Sequence, residues 1–362
     1  MVNKQNIYVL YGKNPKQMAY ELFEQAHMEE MLSPGMKIAL KPNLVVAKTA
    51  DSGATTHPEL AAGIIEFLFT HGVQAQQITI MEGSWLGDDT RRAFSVSGFE
   101  SVAKQYGVAL LDLKRAPTTQ KTIRGESVDI CTPALEADLL INMPVLKAHC
   151  QTALTCALKN LKGCIPDREK RRFHAGGLHG PIAALSALLP VSVTLVDGIC
   201  GDLTFEEGGT PVQMDRVLLG WDPVKIDAYA AELIGLSIDE VPYIKMAERL
   251  GVGSTSIAPE DIIALNEAIP GKFAVSRRAE ALGKYIVAEN ACSACYGSLI
   301  HALQRMDESG ALRRFRGPIY IGQGFRGKQI EGIVVGACCS GCTKNVKGCP
   351  ATAADILKML QE

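Results

Sequence analysis

Six of the eleven cysteines lie beyond residue 290, at spacings typical of a metal centre. They are Cys292, Cys295, Cys338, Cys339, Cys342 and Cys349. The two-residue gap of a C-x-x-C pair lets both sulfurs face one metal centre, and Pro350 after the last cysteine fixes the φ angle of that loop. Four thiolates held in loops in this way bind a [4Fe–4S] cluster. The spacing therefore predicts an iron–sulfur site.

Two other interpretations of these cysteines stay open. The pairs Cys292-x-x-Cys295 and Cys339-x-x-Cys342 also match the spacing of a structural zinc site. Alternatively, the cysteines are small buried hydrophobic residues that bind no metal. The zinc interpretation leaves Cys349 without a role, and the segments between the cysteines resemble a folded α/β unit more than a short ribbon. The iron–sulfur interpretation is therefore favoured.

The elements that must position these cysteines are short strands and two helices. Strands are predicted at Tyr285 to Ala288, Ile319 to Ile321 and Ile333 to Val335, and helices at Tyr296 to Met306 and Thr352 to Leu360. Loops at strand ends, beside helix N-termini, are where α/β sheets place their ligands. We expect a cysteine-rich, cluster-binding α/β domain at residues 276–362. It would follow a linker within residues 251–271.

Residues 1–275 alternate between strand and helix patterns. The alternation predicts a three-layer α/β domain in which helices cover both faces of a mostly parallel sheet. Residues 153–161 read as one of its helices. Residues 322–327 match G-x-G-x-x-G, but the next strand follows too soon for the helix that a phosphate loop requires. No nucleotide site is predicted there.

Polar residues recur after the predicted strands of this large domain. Because parallel strands place their carboxyl ends at one edge of a sheet, these residues are expected to line one polar crevice. The candidates for catalysis or binding are Lys41, Asn43, Glu82, Lys147, His149, Lys159, Asn160, His174 and Asp197. The three lysines and His149 would hold a small anionic metabolite, and Glu82, Asp197 or His174 would move protons. The alternative is that the basic segment from residue 147 to 179 is a solvated loop.

The composition limits the classes of protein to which this chain can belong. The chain has 362 residues, of which 47% are hydrophobic and 21% charged, with a formal net charge of −2. This balance provides no electrostatic case for nucleic acid or an anionic membrane. The N-terminus lacks a secretory signal, and no apolar run reaches the roughly 20 residues of a membrane span. An odd number of scattered cysteines is unlike a disulfide framework, so we expect a reduced, cytoplasmic protein.

Several short motifs between residues 37 and 236 carry a family resemblance. They are Lys41-Pro42-Asn43, Thr56-His57-Pro58, Lys147-Ala148-His149, Leu158-Lys159-Asn160-Leu161-Lys162-Gly163, Val196-Asp197-Gly198 and Gly220-Trp221-Asp222-Pro223 with Asp227. In this order they resemble the family known as domain of unknown function 362. Members of that family are often attached to iron–sulfur modules, which implies such a module here. The resemblance supplies no reaction.

The C-terminal part is similar in style to the small subunits of nickel–iron hydrogenases. In those subunits a C-x-x-C pair, a Gly-x-Cys after a strand and a Gly-Cys-Pro hold one four-iron cluster. The resemblance implies that the ligands here are Cys292, Cys295, Cys338 and Cys349. This chain departs from the pattern by adding Cys339 and Cys342, which stay alternatives for the third ligand. Cys338 is favoured because it directly follows a predicted strand and side chains alternate faces along an extended chain.

Two classes of function follow from these interpretations. The first is a cytoplasmic oxidoreductase of anaerobic metabolism, in which the cluster exchanges electrons with the anionic metabolite or with an electron-transfer partner. The second is a non-enzymatic module that senses redox state or docks a partner, or a structural zinc protein. The distance between cluster and crevice would separate the two.

Overall fold

The computed structural model of the protein describes residues 3–175, 177–339, 342 and 344–361. The chain divides into two compact units. The first comprises Met1–Glu169 and His179–Val275, and the second comprises Lys170–Leu178 and Ser276–Glu362. The break at Val275 is also where the sequence places a domain boundary. The assignment of Lys170–Leu178 to the second unit has no counterpart in the sequence analysis.

The first unit is built on one large sheet. Its described strands are β1 (Ile7–Tyr11), β2 (Ile38–Pro42), β3 (Ile78–Glu82), β4 (Ala109–Asp112), β5 (Thr118–Ile123), β6 (Glu126–Cys131), β7 (Leu139–Met143), β8 (Lys147–His149), β9 (Ala153–Thr155), β10 (Val193–Asp202), β11 (Pro211–Gly220) and β12 (Ile262–Ala264). Eight of them form the sheet in the order β12-β1-β11-β10-β7-β2-β3-β4. Strand β11 runs antiparallel to β1 and β10, and the other neighbours are parallel.

Helices flank this sheet and bury its apolar strands. Those of the described residues are α1 (Pro15–Gln25), α2 (Pro58–Thr70), α3 (Thr90–Val96), α4 (Phe99–Tyr106), α5 (Thr132–Leu135), α6 (Ala157–Asn160), α8 (His179–Leu188), α9 (Pro223–Leu233) and α10 (Pro242–Arg249). Helix α7 (Asp167–Ala175) spans the division between the units, since its residues from Lys170 onward belong to the second unit. All five residues of β2 and of β7 are buried, as is typical of parallel strands covered on both faces. The predicted α/β class with a mostly parallel sheet is therefore confirmed.

The predicted helix at residues 153–161 is wrong at its start. Residues Ala153 to Thr155 form β9, which pairs antiparallel with β8, and α6 begins only at Ala157. The carboxylate of Asp227 explains the late start, because it accepts hydrogen bonds from Ala157 N (2.6 Å) and Leu158 N (3.2 Å). A cap from a distant side chain decides where this helix begins.

The second unit contains a smaller parallel sheet. Its strands are β13 (Ile286–Ala288), β14 (Ile319–Ile321), β15 (Ile333–Val335) and β16 (Lys344–Val346), paired in that order. Its helices are α11 (Arg278–Gly283), α12 (Ser293–Glu308) and α13 (Ala353–Gln361). All three strand pairs are parallel, so the four carboxyl ends lie at one edge of the sheet.

Helices α1 and α2 approach closely at Gly63. A Cβ atom at this position would lie 2.1 Å from Lys16 O and 3.1 Å from Ala19 Cβ. We expect Gly63→Ala to lower the free energy of unfolding by about 1–3 kcal/mol, because the two helices must separate to admit the methyl group. Urea denaturation monitored by circular dichroism measures the change.

Gly180 in α8 provides a matched control, since a Cβ atom there would have no neighbour within 4 Å. Gly180→Ala should leave stability unchanged or raise it by up to about 1 kcal/mol through helix propensity. Equal tolerance of both substitutions would contradict the tight helix contact.

Candidate functional site

A buried ion pair joins the carboxyl ends of β2 and β3. Lys41 Nζ lies 2.7 Å from Glu82 Oε2, and it also donates to Pro42 O (2.7 Å) and Asn160 Oδ1 (3.4 Å). A Cβ atom at Gly163 would lie 1.9 Å from Glu82 Oε1 and 2.6 Å from Lys41 Nζ. The segment after α6 therefore closes over this ion pair, and only glycine fits at the contact.

Amide side chains connect this pair to a second lysine. Asn160 Oδ1 accepts from Asn43 Nδ2 (2.8 Å), and Asn160 Nδ2 donates to Asn142 Oδ1 (2.8 Å). Asn43 Oδ1 in turn accepts from Lys147 Nζ (2.9 Å). Lys147 also donates to Ala54 O (2.6 Å) and Glu206 O (3.0 Å). Burial lowers the pKa of Lys147 to about 8.

Glu206 is the carboxylate around which the remaining basic residues gather. Its side chain pairs with Lys159, and its Oε2 lies 2.9 Å from His149 Nε2. Burial alone would raise the pKa of Glu206, but His149 and Lys159 hold it well below its ordinary value. His149 Nδ1 accepts from the backbone N–H groups of Gln151 and Thr152, both at 3.0 Å. The ring proton therefore sits on Nε2, which lies close to Glu206 but not in hydrogen-bond geometry with it.

A histidine–aspartate pair joins the start of α2 to the middle of β10. Asp197 Oδ2 accepts from both the backbone N–H and the Nδ1 of His57, each at 2.7 Å. Burial would lower the pKa of His57, but the charge of Asp197 raises it to about 9. Thr56 joins this pair to the lysine network, because its Oγ1 accepts from Asn43 N (2.8 Å) and donates to Met143 O (2.8 Å).

Eight of the nine candidates from the sequence thus lie in the first unit, and seven of them belong to one hydrogen-bonded network. The seven are Lys41, Asn43, Glu82, Lys147, His149, Lys159 and Asn160, joined through Glu206 and its backbone. Asp197 pairs with His57 beside them, and His174 belongs to the second unit. All eight are at most 7% exposed, so they form a closed network more than the lining of an open crevice.

Sequence reasoning missed Glu206, His57 and Asn142. Glu206 follows β10 but precedes the antiparallel strand β11, so a search of parallel strand ends did not reach it. His57 stands within the Thr-His-Pro motif and carried a signal, but its partner Asp197 is 140 residues away. Asn142 lies within the buried strand β7, where it reads as a polar residue that merely interrupts an apolar run.

In the second unit, cysteines follow three of the four parallel strands. Cys292 follows β13 and is the N-cap residue of α12, and Cys295 lies in the first turn of that helix. Cys338 follows β15, and Cys349 follows β16. A helix N-terminus favours the thiolate form of a cysteine, because the backbone dipoles there are positive.

Cys292, Cys338 and Cys349 lie close enough to Cys295 to interact with it electrostatically. A Cβ atom at Gly336 would lie 3.3 Å from Cys338 Sγ and 3.9 Å from Cys295 Sγ, so both sulfurs border one point. Burial raises the pKa of Cys295 to about 12, and the negative charges of Cys292, Cys338 and Cys349 as thiolates add to the increase. The backbone N–H of Ala351 donates to Cys295 and opposes it.

The two extra cysteines are engaged with backbone carbonyl groups. Cys339 is fully buried and donates its S–H to Gly322 O (3.2 Å), in a small core with Phe325 and Val334. Cys342 Sγ lies 3.4 Å from Lys328 O. The Cys339 thiol lowers the pKa of Cys338, burial opposes the decrease, and the charge of Arg326 lowers it further.

No group of three His, Cys, Asp or Glu side chains among the described residues is close enough to hold a single metal ion. One zinc ion keeps its ligand sulfurs about 2.3 Å from the metal and hence near one another. A four-iron cluster binds one thiolate at each of four separate irons.

Glu206→Gln tests the buried network. The substitution keeps the shape of the side chain but leaves Lys159 without its carboxylate partner. We expect the free energy of unfolding to fall by about 3–5 kcal/mol. The adjacent Glu207 is only partly buried. Glu207→Gln should therefore change the free energy of unfolding by less than about 1 kcal/mol. Denaturant titration of both variants checks this, and equal effects would refute the central position of Glu206.

Comparisons with known proteins place the chain among relatives. Over 240 residues it is 22% identical to the thylakoid-associated protein sll1697 of Synechocystis sp., an alignment that covers 63% of this chain and 72% of that protein. The lactate racemase apoprotein from Thermoanaerobacterium thermosaccharolyticum is a similar solved structure, with a TM-score of 0.41 and 12% identity. The similarity covers 65% of this chain and 57% of that one, less than two thirds of its length.

No helix within the described ranges has the length and apolar character that crossing a membrane requires.

Residues 38–232 match the model of the family described as "Domain of unknown function (DUF362)". These residues make up more than half of the chain and include the buried network of the first unit. The chain therefore belongs to the DUF362 family.

Proposed function

We propose that this chain is an iron–sulfur protein that transfers electrons through one [4Fe–4S] cluster held by its second unit. The observation that carries the proposal is the gathering of Cys292, Cys295, Cys338 and Cys349 at the carboxyl edge of the four-stranded parallel sheet. Four thiolates are the ligand set of such a cluster. When bound, the cluster would supply reversible one-electron transfer.

The surroundings of the four sulfurs suit that role. The Ala351 N–H donates to Cys295, and Gln323 Nε2 lies 3.7 Å from Cys292 Sγ. Hydrogen bonds to ligand sulfurs, together with burial, set the reduction potential of a cluster. The burial of Cys295 restricts water at one side of the site, and the positive charge of Arg326 offsets the negative charge of the thiolates.

Cys338 is the third ligand in this proposal. The sulfur atoms of Cys338 and Cys295 both lie close to Gly336. Cys339 instead packs into a small core and donates to Gly322 O, and Cys342 lies against Lys328 O. A structural zinc site that used Cys339 and Cys342 would require both thiols to leave these carbonyl groups.

The predicted binding of a small anionic metabolite in the first unit gains less support from the geometry. Lys41 and Lys147 each donate to three acceptors, which accounts for all the hydrogens of an ammonium group. Lys159 donates to Thr155 and Glu206, which leaves one hydrogen for a ligand. Metabolite binding therefore stays a prediction that centres on Lys159, and the redox-sensing module stays the alternative function.

Iron and sulfide analysis of single cysteine variants, purified without oxygen, tests the proposal. The unmodified protein should contain about four irons and four sulfides per chain. Changing Cys292, Cys295, Cys338 or Cys349 to Ala should remove most of both. Cys339→Ala and Cys342→Ala are the matched controls and should retain them.

Zinc bound in stoichiometric amount without sulfide would contradict the cluster. A cluster that survives Cys338→Ala but is lost in Cys339→Ala or Cys342→Ala would contradict the choice of the third ligand alone.

A further inference from the structure

The near-neutral charge of the chain conceals two oppositely charged units. Residues 170–178 and 276–362 contain fifteen Lys or Arg and seven Asp or Glu, a formal net charge of +8. The remaining residues contain twenty-two basic and thirty-two acidic side chains, a net charge of −10. The unit that carries the cysteine site is therefore strongly basic, a property that the net charge of the whole chain does not reveal.

Exposed cations accompany three of the four proposed ligands. Arg326 is exposed and acts electrostatically on Cys338. Lys347 is exposed and lies two residues before Cys349. Arg171 is exposed, and Gln323 connects its backbone to Cys292. Gln323 Nε2 lies 3.4 Å from Arg171 O and 3.7 Å from Cys292 Sγ. We call Arg171, Arg326 and Lys347 the basic patch.

Within the described residues, the cations of the basic patch have no carboxylate partner, whereas some other cations of the same unit do. Lys328 pairs with Glu289 at 2.9 Å, and Arg278 pairs with Asp307 at 3.2 Å. An exposed cation without a partner retains its full charge for an approaching molecule. Three such charges around one site produce a local positive potential.

The ligands differ in their access to solvent. Cys295 is buried, Cys292 and Cys338 are partly exposed, and Cys349 is exposed. The side of the cluster nearest the surface would therefore be the side of Cys349, where Lys347 lies. A protein that exchanges electrons with the cluster would have to approach at this side.

We propose that the basic patch docks an acidic one-electron carrier protein, so that the carrier and the cluster meet at Cys349. The proposal rests on the iron–sulfur function proposed above. The reduced carrier would give one electron to the cluster. The carrier's centre would be oxidised by one electron, and the cluster would be reduced by one electron. No bond forms or breaks and no proton is required. Charge complementarity accelerates the encounter at low salt, and added salt screens it.

Stopped-flow reduction of the oxidised protein by a reduced plant-type [2Fe–2S] ferredoxin, an acidic carrier, tests the docking. We expect the second-order rate constant to fall steeply as ionic strength rises. The double variant Arg326→Glu/Lys347→Glu should react about tenfold more slowly at low salt and equally fast at high salt. Arg313→Glu is the matched control, an exposed residue of the same unit just before β14, and should react like the unmodified protein.

Two further measurements separate docking from other effects of the charge. Reduction by methyl viologen radical, a small cation, should not be slowed in the double variant. Iron content and reduction potential are measured for each protein. If the double variant shifts the potential but keeps the same salt dependence with ferredoxin, the patch only balances the charge of the cluster, and docking is overturned.

The remaining outcomes also decide the proposal. If duplex DNA binds the unmodified protein but not the double variant, while ferredoxin reacts equally with both, the partner is a nucleic acid. A cluster-loaded protein whose rates ignore both salt and the substitutions overturns docking alone. A protein without iron and sulfide overturns the iron–sulfur function and the docking together.

Discussion

Parallel strands deliver their carboxyl ends to one edge of a sheet, and both units of this protein place their reactive side chains at that edge. In the first unit Lys41 and Glu82 meet there because β2 and β3 are parallel neighbours. In the second unit the loops after β13, β15 and β16 bring four cysteines together although the first and last are 57 residues apart in sequence. The topology of the sheets therefore assembles the sites, and the loops supply the chemistry.

Burial imposes the second constraint, because a charged group withdrawn from water must be paired and fully hydrogen-bonded. Lys41 and Lys147 meet this requirement inside the first unit, and Glu206 compensates the charge of Lys159. The same pairing leaves few donors for a ligand. By contrast, Arg326 and Lys347 of the second unit stay exposed.

Local patterns in the sequence predicted the α/β class, three of the four strands of the second unit to within a residue, and most members of the buried network, but they missed β16. Lys41, Glu82 and Lys147 could be found because a polar residue directly after an apolar run is a local signal. Glu206 could not, because it lies before an antiparallel strand and its role depends on three residues far away in sequence. The strand at residues 153–155 was missed for a similar reason, since its partner β8 and the cap Asp227 are tertiary features. Local spacing reveals candidate residues, whereas their partners are set by the fold.

We propose that four cysteines of the second unit hold one four-iron cluster. A Mössbauer spectrum of protein produced with ⁵⁷Fe and purified without oxygen tests it most directly, because the spectrum reports the electronic state of every iron atom. We expect nearly all the iron to contribute the diamagnetic signal of an oxidised [4Fe–4S] cluster with sulfur ligands. A spectrum dominated by isolated high-spin iron would contradict the four-iron cluster, and so would a protein that contains no bound iron.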